Sequence, residues 1–510
     1  MLVVSLLVVV LDNTVLNVAL KAIADPVHGL GATQSELEWS INSYTLVFAG
    51  LLFTSGVLGD RHGRRAALLL GMVLFGLASL ASAYAQTPAQ LIGARALMGI
   101  GGAAILPATL SIISNVFHPT ERARAIGVWA GAVGLGVAIG PVVGGALLER
   151  FWWGSVFLIN VPILLAGLIA VLVLVPESRD PSPGRIDAIG VALSIVGLVS
   201  LVYGVIEGGE TGDWGRPDVW GPIAAGVGVI AAFIWYERRA AHPALDVTLF
   251  RDPRFSAAVA MIGLVFFGAM GTFFFGSFYL QLVRGFTPLQ AGLLMLPFAA
   301  AQLIFAPLSS SLVKRYGPKA VSVTALLVTA VATGGFTIVA VDTPVWLLGT
   351  FFFLQGVGMA SVIPSATESV MSTLPREKAG VGSAVNNTIR QVGGALGVAV
   401  LGSLLSAVYR EQITPHVSGL PHSAQEVAKE SVAGTYGVAD RLGPASASLL
   451  DSADDAFVTA MHWAAGGSVA VMLVGALVAL KWLPGLPAGT PAATPAAASR
   501  VGEPELVEAG

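Results

Sequence analysis

Residues 56–65 read GVLGDRHGRR and residues 310–319 read SSLVKRYGPK, and each is a short charged stretch between long apolar runs. At a constant offset of 254 positions the stretches carry matching residue types, and the pairs are Leu58 with Leu312, Arg61 with Arg315, Gly63 with Gly317 and Arg65 with Lys319. The match indicates that the chain arose by internal duplication. Parallel repeats of this kind build one class of membrane transporter, in which the substrate site lies between the two halves.

The composition is that of an integral membrane protein. Of 510 residues, 55% are hydrophobic and 11% are charged, and the mean hydropathy is +0.79. Soluble domains carry roughly 25% charged residues, so this chain lacks the polar surface that a water-soluble protein needs. We therefore expect an all-α protein whose surrounding partner is the lipid bilayer.

Apolar runs of about 18 or more residues predict fourteen transmembrane helices, because about 20 helical residues cross a bilayer. The runs lie near residues 1–23, 39–58, 66–86, 88–114, 123–148, 156–176, 187–206, 218–236, 256–281, 288–313, 319–341, 345–371, 380–408 and 455–482. Together with the duplication, these runs predict an N-terminal six-helix bundle (1–176) and a C-terminal six-helix bundle (256–482), joined by two additional linker helices (187–236). The C-terminal bundle contains an extracellular loop (409–454), and a disordered cytoplasmic tail (484–510) follows it.

The basic residues predict the orientation of the chain, since short cytoplasmic loops collect Lys and Arg. If the first helix runs outward, 18 of the 27 Lys and Arg residues fall in cytoplasmic segments and seven fall outside. We therefore expect both termini in the cytoplasm. The remaining two, Arg95 and Arg390, lie inside predicted spans.

Several classes of function are disfavoured by what the sequence lacks. The net charge of −3 comes with no polybasic segment, so we expect no nucleic acid partner. Without cysteine there is no thiolate metal site, and we expect no metal. The chain has no GxxxxGK[ST] loop, so ATP is not the direct energy source. Only one of the seven histidines, His462, enters a span, which disfavours a membrane-embedded enzyme, and the short tail disfavours a sensor.

The charged loops resemble those of a known transporter family. The stretch 56–65 is similar to the loop signature of the major facilitator superfamily, and that family also shows a degenerate copy like the one at 310–319. Residues 91–101, LIGARALMGIG, resemble the fourth-helix motif of the same superfamily, with Met98 where Gln is common.

Three further segments resemble a narrower group within that family. Residues 136–145, GVAIGPVVGG, match the fifth-helix motif associated with antiporters. Residues 11–20, LDNTVLNVAL, resemble the first-helix motif of the drug:proton antiporters with fourteen spans. Residues 151–162, FWWGSVFLINVP, look most like the branch that exports quaternary ammonium compounds and methyl viologen.

The resemblance implies the major facilitator fold, with two six-helix bundles and two extra central helices, in the cytoplasmic membrane of a prokaryote. It implies a secondary multidrug exporter that works by alternating access, is driven by protons and expels small lipophilic or cationic molecules. We expect the protein to function as a monomer, with the proton gradient as its energy source and no cofactor. The motifs leave open whether it instead exports a single endogenous metabolite or antibiotic.

Charged residues within predicted spans are candidate functional groups, because a charge in the membrane is costly. Asp12 lies mid-span, where a carboxyl that is either neutral or charged suits proton coupling and its charged form suits a cationic drug. The alternative is that Asp12 only bonds to neighbouring helices. Arg95 is the nearest candidate counter-charge, and because Arg keeps its proton we expect it to modulate the ionisation of Asp12.

The second half contributes Glu368 and Arg390. Glu368 lies near the cytoplasmic end of its span, where its side chain can instead reach the membrane interface. Arg390 belongs to a polar band that forms either a cavity wall or a hydrogen-bond network between helices. The polar residues that we expect in the cavity are Asn13, Asn17, Asn386 and Gln391.

The loop signature carries a charge cluster that the resemblance assigns to a salt-bridged cytoplasmic gate stabilising the outward-facing state. Its residues are Gly59, Asp60, Arg61, Gly63, Arg64 and Arg65. The same positive charges also orient the protein in the membrane.

Glycines of the antiporter motif predict a close helix contact. Gly136, Gly140 and Gly144 are spaced by four residues, so they form one stripe along a helix that another backbone can approach. Pro141 removes one backbone hydrogen bond and kinks the helix, and Gly145 completes the motif. One interpretation is that the stripe serves helix packing alone, and the functional alternative is that this contact also controls leakage in an exchanger.

Overall fold

The computed structural model describes residues 2–116, 118, 121, 136, 139–179, 187–240, 245, 247–373, 379–442 and 446–485. Every regular element in these ranges is helical. The first half contains α1 (Leu2–Ala24), α2 (Gln34–His62), α3 (Arg64–Ala83), α4 (Pro88–Val116), α5 (Ile139–Leu148), α6 (Ser155–Leu158) and α7 (Asn160–Leu174). The middle contains α8 (Ala188–Thr211), α9 (Pro217–Glu237) and a 3-10 turn (Val247–Arg251). The second half contains α10 (Pro253–Phe278), a π-helical turn (Tyr279–Val283), α11 (Pro288–Leu294), α12 (Leu296–Gly335), α13 (Val345–Ser372), α14 (Ala379–Val417), α15 (His422–Glu430), α16 (Val432–Leu442) and α17 (Ala447–Trp482).

The helices confirm an all-α membrane protein. In the described part of the chain, 12 helices are long and apolar enough to cross a membrane, and the bent pair Gln34–Leu52 and Thr54–His62 brings the number to 13. Of the predicted run 123–148, only residues 136 and 139–148 lie within the described residues, and they contain the short helix α5. The count of fourteen therefore stays a prediction.

The predicted loop 409–454 has more regular structure than the sequence indicated. Helix α14 continues to Val417, past its predicted end at residue 408, and the loop that follows contains α15 and α16. These two helices pack against each other, and Thr435 Oγ1 of α16 donates to the Ala428 carbonyl at 2.8 Å. The predicted tail 484–510 lies almost entirely outside the described residues.

The two halves turn at equivalent glycines. Gly63 separates α2 from α3 with φ 127°, and Gly317 breaks α12 with φ 82°. Backbone angles of this sign favour glycine because it has no Cβ. Since the 254-residue offset pairs these same two positions, the two loops share a glycine-dependent turn as well as a sequence pattern.

The halves form two bundles that meet along a seam. Helices α1 to α4, α6 and α7 pack together, and α10, α12, α13, α14 and α17 form the second bundle. They meet where α2 contacts α14 and where α1 contacts α10 and α11. Helices α8 and α9 form a pair, and α8 lies against both α2 and α14. Apolar side chains fill this junction, and they are Leu46, Val202, Ile206, Ala395 and Ala399.

Cross-connections define two sides of the molecule. On the side that we name the Arg-rich side, the Glu177 carboxylate accepts from the backbone N–H of Arg65 at 3.1 Å and of Ala66 at 3.3 Å, at the start of α3. On the side that we name the opposite side, Lys21 Nζ near the end of α1 donates to the Gln281 carbonyl at 2.6 Å. The distribution of basic residues predicts that the Arg-rich side is cytoplasmic.

Candidate functional site

A buried ion pair joins α1 to α4. Arg95 Nη1 donates to Asp12 Oδ2, and each side chain is 1% exposed. Arg95 Nε also donates to the Ser40 carbonyl of α2 at 3.0 Å, and Asn160 Nδ2 of α7 donates to Asp12 Oδ1 at 3.2 Å. The pair therefore connects four helices of the first half, and Arg95 is the counter-charge that we predicted for Asp12.

A second layer of side chains holds the ion pair in place. Asn160 Nδ2 also donates to Ser79 Oγ at 3.0 Å, and Ser79 Oγ donates to the Phe157 carbonyl at 2.8 Å. The guanidinium carbon of Arg95 lies 4.5 Å from the centroid of the Tyr44 ring, within the range where a ring face stabilises a cation. We did not identify Ser79 or Tyr44 from the sequence, because a polar residue in an apolar helix carries no signal of the direction it faces.

A polar stripe runs along α1 beside the ion pair. The half-buried polar residues of α1 follow helical spacing along one face, and they are Asn13, Thr14, Asn17 and Lys21. Asn13 Nδ2 donates to Tyr44 Oη at 3.2 Å, and Asn17 Nδ2 donates to the Asn13 carbonyl at 3.1 Å. The stripe meets the second half, because Ser277 Oγ of α10 donates to the Asn17 carbonyl. Of the predicted cavity residues, Asn17 thus lies where the halves meet, and Asn13 lies one turn earlier on the same face.

Arg390 lies on the other side of the seam. Arg390 Nη2 donates to Asn387 Oδ1 at 2.9 Å, and its guanidinium carbon lies 5.5 Å from the centroid of the Phe266 ring. Within the described residues Arg390 forms no ion pair, and no contact joins it to Asp12 or Arg95. The structure therefore separates the predicted charges into a paired group in the first half and a single cation in the second.

The remaining predicted residues of the second half differ in burial. Asn386 Nδ2 donates to Thr367 Oγ1 at 3.4 Å, and Gln391 is half-buried on the same helix. Glu368 is exposed on α13, as expected for a side chain that reaches the interface. Among the described residues, Glu368 forms no salt bridge.

The antiporter motif packs between α1 and the second half. Three of its glycines face α1, and the contacting pairs are Gly136 with Val10, Gly140 with Thr14 and Gly144 with Val15. A Cβ added to Gly140 would lie 2.9 Å from the Thr14 Cβ, which is too close for a real contact. On the other face, a Cβ added to Gly145 would lie 2.7 Å from the Leu289 nitrogen of α11. The predicted close approach is confirmed, and it involves the seam.

The two halves are held together on the opposite side. Four hydrogen bonds between described residues join them, and these run from Ser277 Oγ to the Asn17 carbonyl, from Gln281 Nε2 to the Val18 carbonyl at 2.9 Å, from Lys21 Nζ to the Gln281 carbonyl at 2.6 Å, and from Thr287 Oγ1 to Glu149 Oε1 at 2.6 Å. On the Arg-rich side, no hydrogen bond between described residues joins the halves. The opposite side of the seam is therefore closed.

The predicted gate residues bond within the first half. Arg64 Nε donates to Asp60 Oδ1 at 2.7 Å, and Arg65 Nη2 donates to the Leu172 carbonyl at 2.7 Å. Arg61 is exposed. The cluster thus makes a corner where α2, α3 and α7 meet, and its role as a gate stays a prediction.

Glu177 completes this corner, although no pattern in the sequence singles it out. A Cβ added to Gly63 would lie 2.6 Å from Glu177 Oε1, so Gly63 is required both for its backbone angle and for the approach of the carboxylate. The negative charge lies at the N-terminus of α3, where the helix dipole favours an anion. Gly59 packs in the same corner, with an added Cβ 3.3 Å from the Ala67 Cβ.

The chemistry available at the Asp12–Arg95 pair is the binding of a proton or a cation. Within the described ranges, no group of three His, Asp or Glu side chains is arranged to hold a metal ion. The Asp12 carboxyl can bind either a proton or a positive charge, and it lies beside a partly exposed face of α1. Arg95 competes for the same carboxylate oxygen.

Similar proteins are membrane transporters. A family model described as the Major Facilitator Superfamily matches residues 2–398. The multidrug efflux pump LfrA of Mycolicibacterium smegmatis is 38% identical over 93% of this chain and 93% of that protein. The methyl viologen resistance protein SmvA of Salmonella typhimurium is 34% identical over 91% of this chain and 93% of that protein. The crystal structure of a bacterial homolog of the human lysosomal transporter Spinster, inward-facing and unoccupied, has the same fold, with a TM-score of 0.64 and 16% identity over 94% of this chain and 95% of that chain.

Proposed function

The chain belongs to the major facilitator superfamily, and from this premise we propose that it is a multidrug exporter driven by protons. Its substrates are lipophilic or cationic compounds. The observation that carries the proposal is the buried Asp12–Arg95 pair beside the partly exposed polar stripe of α1. The similarity to the multidrug pump LfrA and to the methyl viologen resistance protein SmvA supports the substrate class.

Helix α1 links the proton site to the closed side. Asp12 binds Arg95 of α4, and Asn17 and Lys21, later on the same helix, contact the second half. A proton on Asp12 removes the negative charge that Arg95 binds, so the attachment of α1 to α4 weakens. The contacts of α1 with the second half then contribute a larger share of the energy that holds α1 in place. Protonation therefore shifts the equilibrium between the two access states.

A cationic drug and a proton compete for one carboxyl in this mechanism. The ionised form of Asp12 attracts the cation, and the protonated form does not. Tyr44, which stacks on Arg95 and accepts a hydrogen bond from Asn13, adds an aromatic surface at the same place. Binding of one ligand therefore favours release of the other, which is the requirement for exchange.

We extend the proposal to the setting of the protein. The Arg-rich side faces the cytoplasm of a prokaryotic cell and both termini lie there, because basic residues collect on that side. Fourteen helices cross the cell membrane, and a monomer carries out transport without an enzymatic step or a cofactor. The closed opposite side then corresponds to an inward-facing state.

The decisive experiment is drug-induced proton release from the purified protein in proteoliposomes that contain a pH-sensitive dye. We expect release with quaternary ammonium compounds and cationic dyes, and none with the Asp12→Asn variant. A matched control is Glu411→Gln, because Glu411 is an exposed acidic residue away from the site. Release with a single anionic metabolite alone would overturn the multidrug proposal, and unchanged release in Asp12→Asn would overturn the role of Asp12.

A further inference from the structure

A second buried carboxyl lies in α2, away from the Asp12–Arg95 pair. Glu38 is on the second turn of this helix, near the opposite side, and it is 1% exposed. Its Oε2 atom is buried and has no hydrogen-bond partner among the described residues. The site described above does not use this group.

The Glu38 side chain lies at the seam between the halves. A Cβ added to Gly402 of α14 would lie 2.7 Å from Glu38 Cδ, so the carboxyl packs directly against the backbone of the second half. A glycine at this position leaves the space that the carboxyl occupies. Separation of α2 from α14 would therefore expose Glu38 to water.

The charged groups around Glu38 do not neutralise it. Glu210 of α8 interacts with it electrostatically and has the same sign. Arg410 of α14 donates instead to the backbone carbonyl of Glu210. Arg95 of α4 donates to Ser40 in the same turn of α2, but its charge is paired with Asp12.

An ionised carboxylate in this place is unfavourable. Burying a charge without a partner costs far more than burying a neutral hydrogen-bonding group, and a neighbouring like charge adds to the cost. In the closed arrangement the protonated form of the Glu38 carboxyl is therefore favoured over the ionised form. When the seam opens, water solvates the carboxylate and the proton can leave.

We propose that Glu38 is a second proton-binding residue, whose protonation accompanies closure of the opposite side. On closing, one carboxylate oxygen forms an O–H bond with a proton taken from water on that side, and on opening this bond breaks and the proton returns to water. Closure thus consumes one proton in addition to any proton on Asp12. The consequence for export rests on the proposed function, whereas the coupling between proton and closure does not.

The test measures the distance across the opposite side as a function of pH, without any drug. The chain contains no cysteine, so spin labels at Val27→Cys and Trp346→Cys report specifically on the two halves. Both positions are open to labelling, at 76% and 70% exposure. Pulsed electron spin resonance on the full chain in lipid nanodiscs then gives the closed fraction between about pH 5 and 9, the range around which carboxyls perturbed by burial titrate.

We expect the closed fraction to fall as the pH rises, and to stay high across the range in Glu38→Gln, whose side chain imitates the protonated acid. Glu36→Gln is the matched control, because Glu36 is a nearby acidic residue in the first turn of the same helix, where it takes part in the cap with Thr33. It should keep the wild-type titration. Wild-type pH dependence that survives in Glu38→Gln would overturn the proposal, as would a closed fraction that does not change with pH in the unmodified chain.

A second variant keeps the proposal testable if Glu38→Gln does not fold. Glu210→Gln removes the neighbouring like charge, so the midpoint of the titration should shift to lower pH, and an unshifted midpoint would contradict the proposal. Because these measurements need no transport, they also separate the two proposals. Failure of drug-induced proton release would overturn the exporter function and leave the result on Glu38 standing.

Discussion

Asp12 and Arg95 form an ion pair between α1 and α4 in which each side chain is 1% exposed. Removing one partner of such a pair leaves the other charge buried and uncompensated, whereas removing both does not. The same pair is the candidate proton site, so variants must separate its structural role from its role in coupling.

We expect Arg95→Met to lower the free energy of unfolding by about 3–5 kcal/mol, the usual cost of breaking a buried pair. The double variant Asp12→Asn with Arg95→Met should regain most of that loss, because no buried charge remains. Thermal unfolding of the purified proteins in detergent measures both. A double variant as unstable as Arg95→Met alone would show that the two charges are not coupled.

The contact between Gly140 and Thr14 predicts strong sensitivity to a single methyl group. In Gly140→Ala the new Cβ would lie 2.9 Å from the Thr14 Cβ, and overpacking of this kind costs about 1–3 kcal/mol. We therefore expect drug export by Gly140→Ala to fall, as measured by uptake into everted vesicles, and Thr14→Ala to restore part of it. Gly221→Ala is the control, because an added Cβ there meets nothing within 4 Å.

The same variant distinguishes the two interpretations of the glycine motif. If residual transport by Gly140→Ala leaks protons, the contact takes part in coupling. Residual transport with an unchanged ratio of protons to drug would show that the glycines serve packing alone.

The hydrogen bond from Ser277 to the Asn17 carbonyl predicts a specific cross-link. Because the chain has no cysteine, the double variant Asn17→Cys with Ser277→Cys should form one disulfide when an oxidant is added. The bond should hold the opposite side closed, stop export and release it again under a reductant. The single cysteine variants are the controls, and the absence of a cross-link would contradict the closed arrangement.

The helix α15 should lose stability as the pH rises. Burial and the neighbouring Glu210 raise the pKa of Glu430 above its usual value. Because the folded state then binds the proton more tightly than the unfolded chain, packing of α15 is most stable below the ordinary carboxyl pKa and weakens as the pH rises through the raised pKa.

Hydrogen exchange of the backbone of residues 422–430 measures this effect. Glu430→Gln should remove the pH dependence, while Glu426→Gln, which changes a more exposed residue of the same helix, should keep it. Equal pH dependence in Glu430→Gln would contradict the assignment.

The positions of the helices and the repeat could be predicted from the sequence, because both depend on local chemistry. An apolar run long enough to cross a bilayer forms a helix whatever its neighbours. Gly63 and Gly317 occupy backbone conformations that favour glycine, so the match between the two loops can be recognised in the amino-acid sequence. Asp12 and Arg95 could be singled out for the same reason, since charges inside apolar runs are rare and costly.

The hydrogen-bond partners of the polar side chains and the burial of Glu38 could not be predicted from the sequence. Nothing in the sequence indicates that Asn160 and Ser79 hold the Asp12 carboxylate, because the direction that a polar residue faces depends on the helix beside it. Glu38 lies in the polar segment QSELE at the start of α2 and resembles an exposed helix end. In the folded chain its carboxyl is instead buried and packs against Gly402 of α14.

The sequence by itself thus determined the membrane helices, their duplication and the scarce charges on which transport can depend, since each follows from the cost of placing polar groups in lipid. Only the tertiary structure decided which of those charges are paired, which side of the seam is closed and that the buried Glu38 Oε2 atom has no hydrogen-bond partner among the described residues. These properties require residues far apart in the chain to come within a few ångströms, and no local pattern encodes that distance.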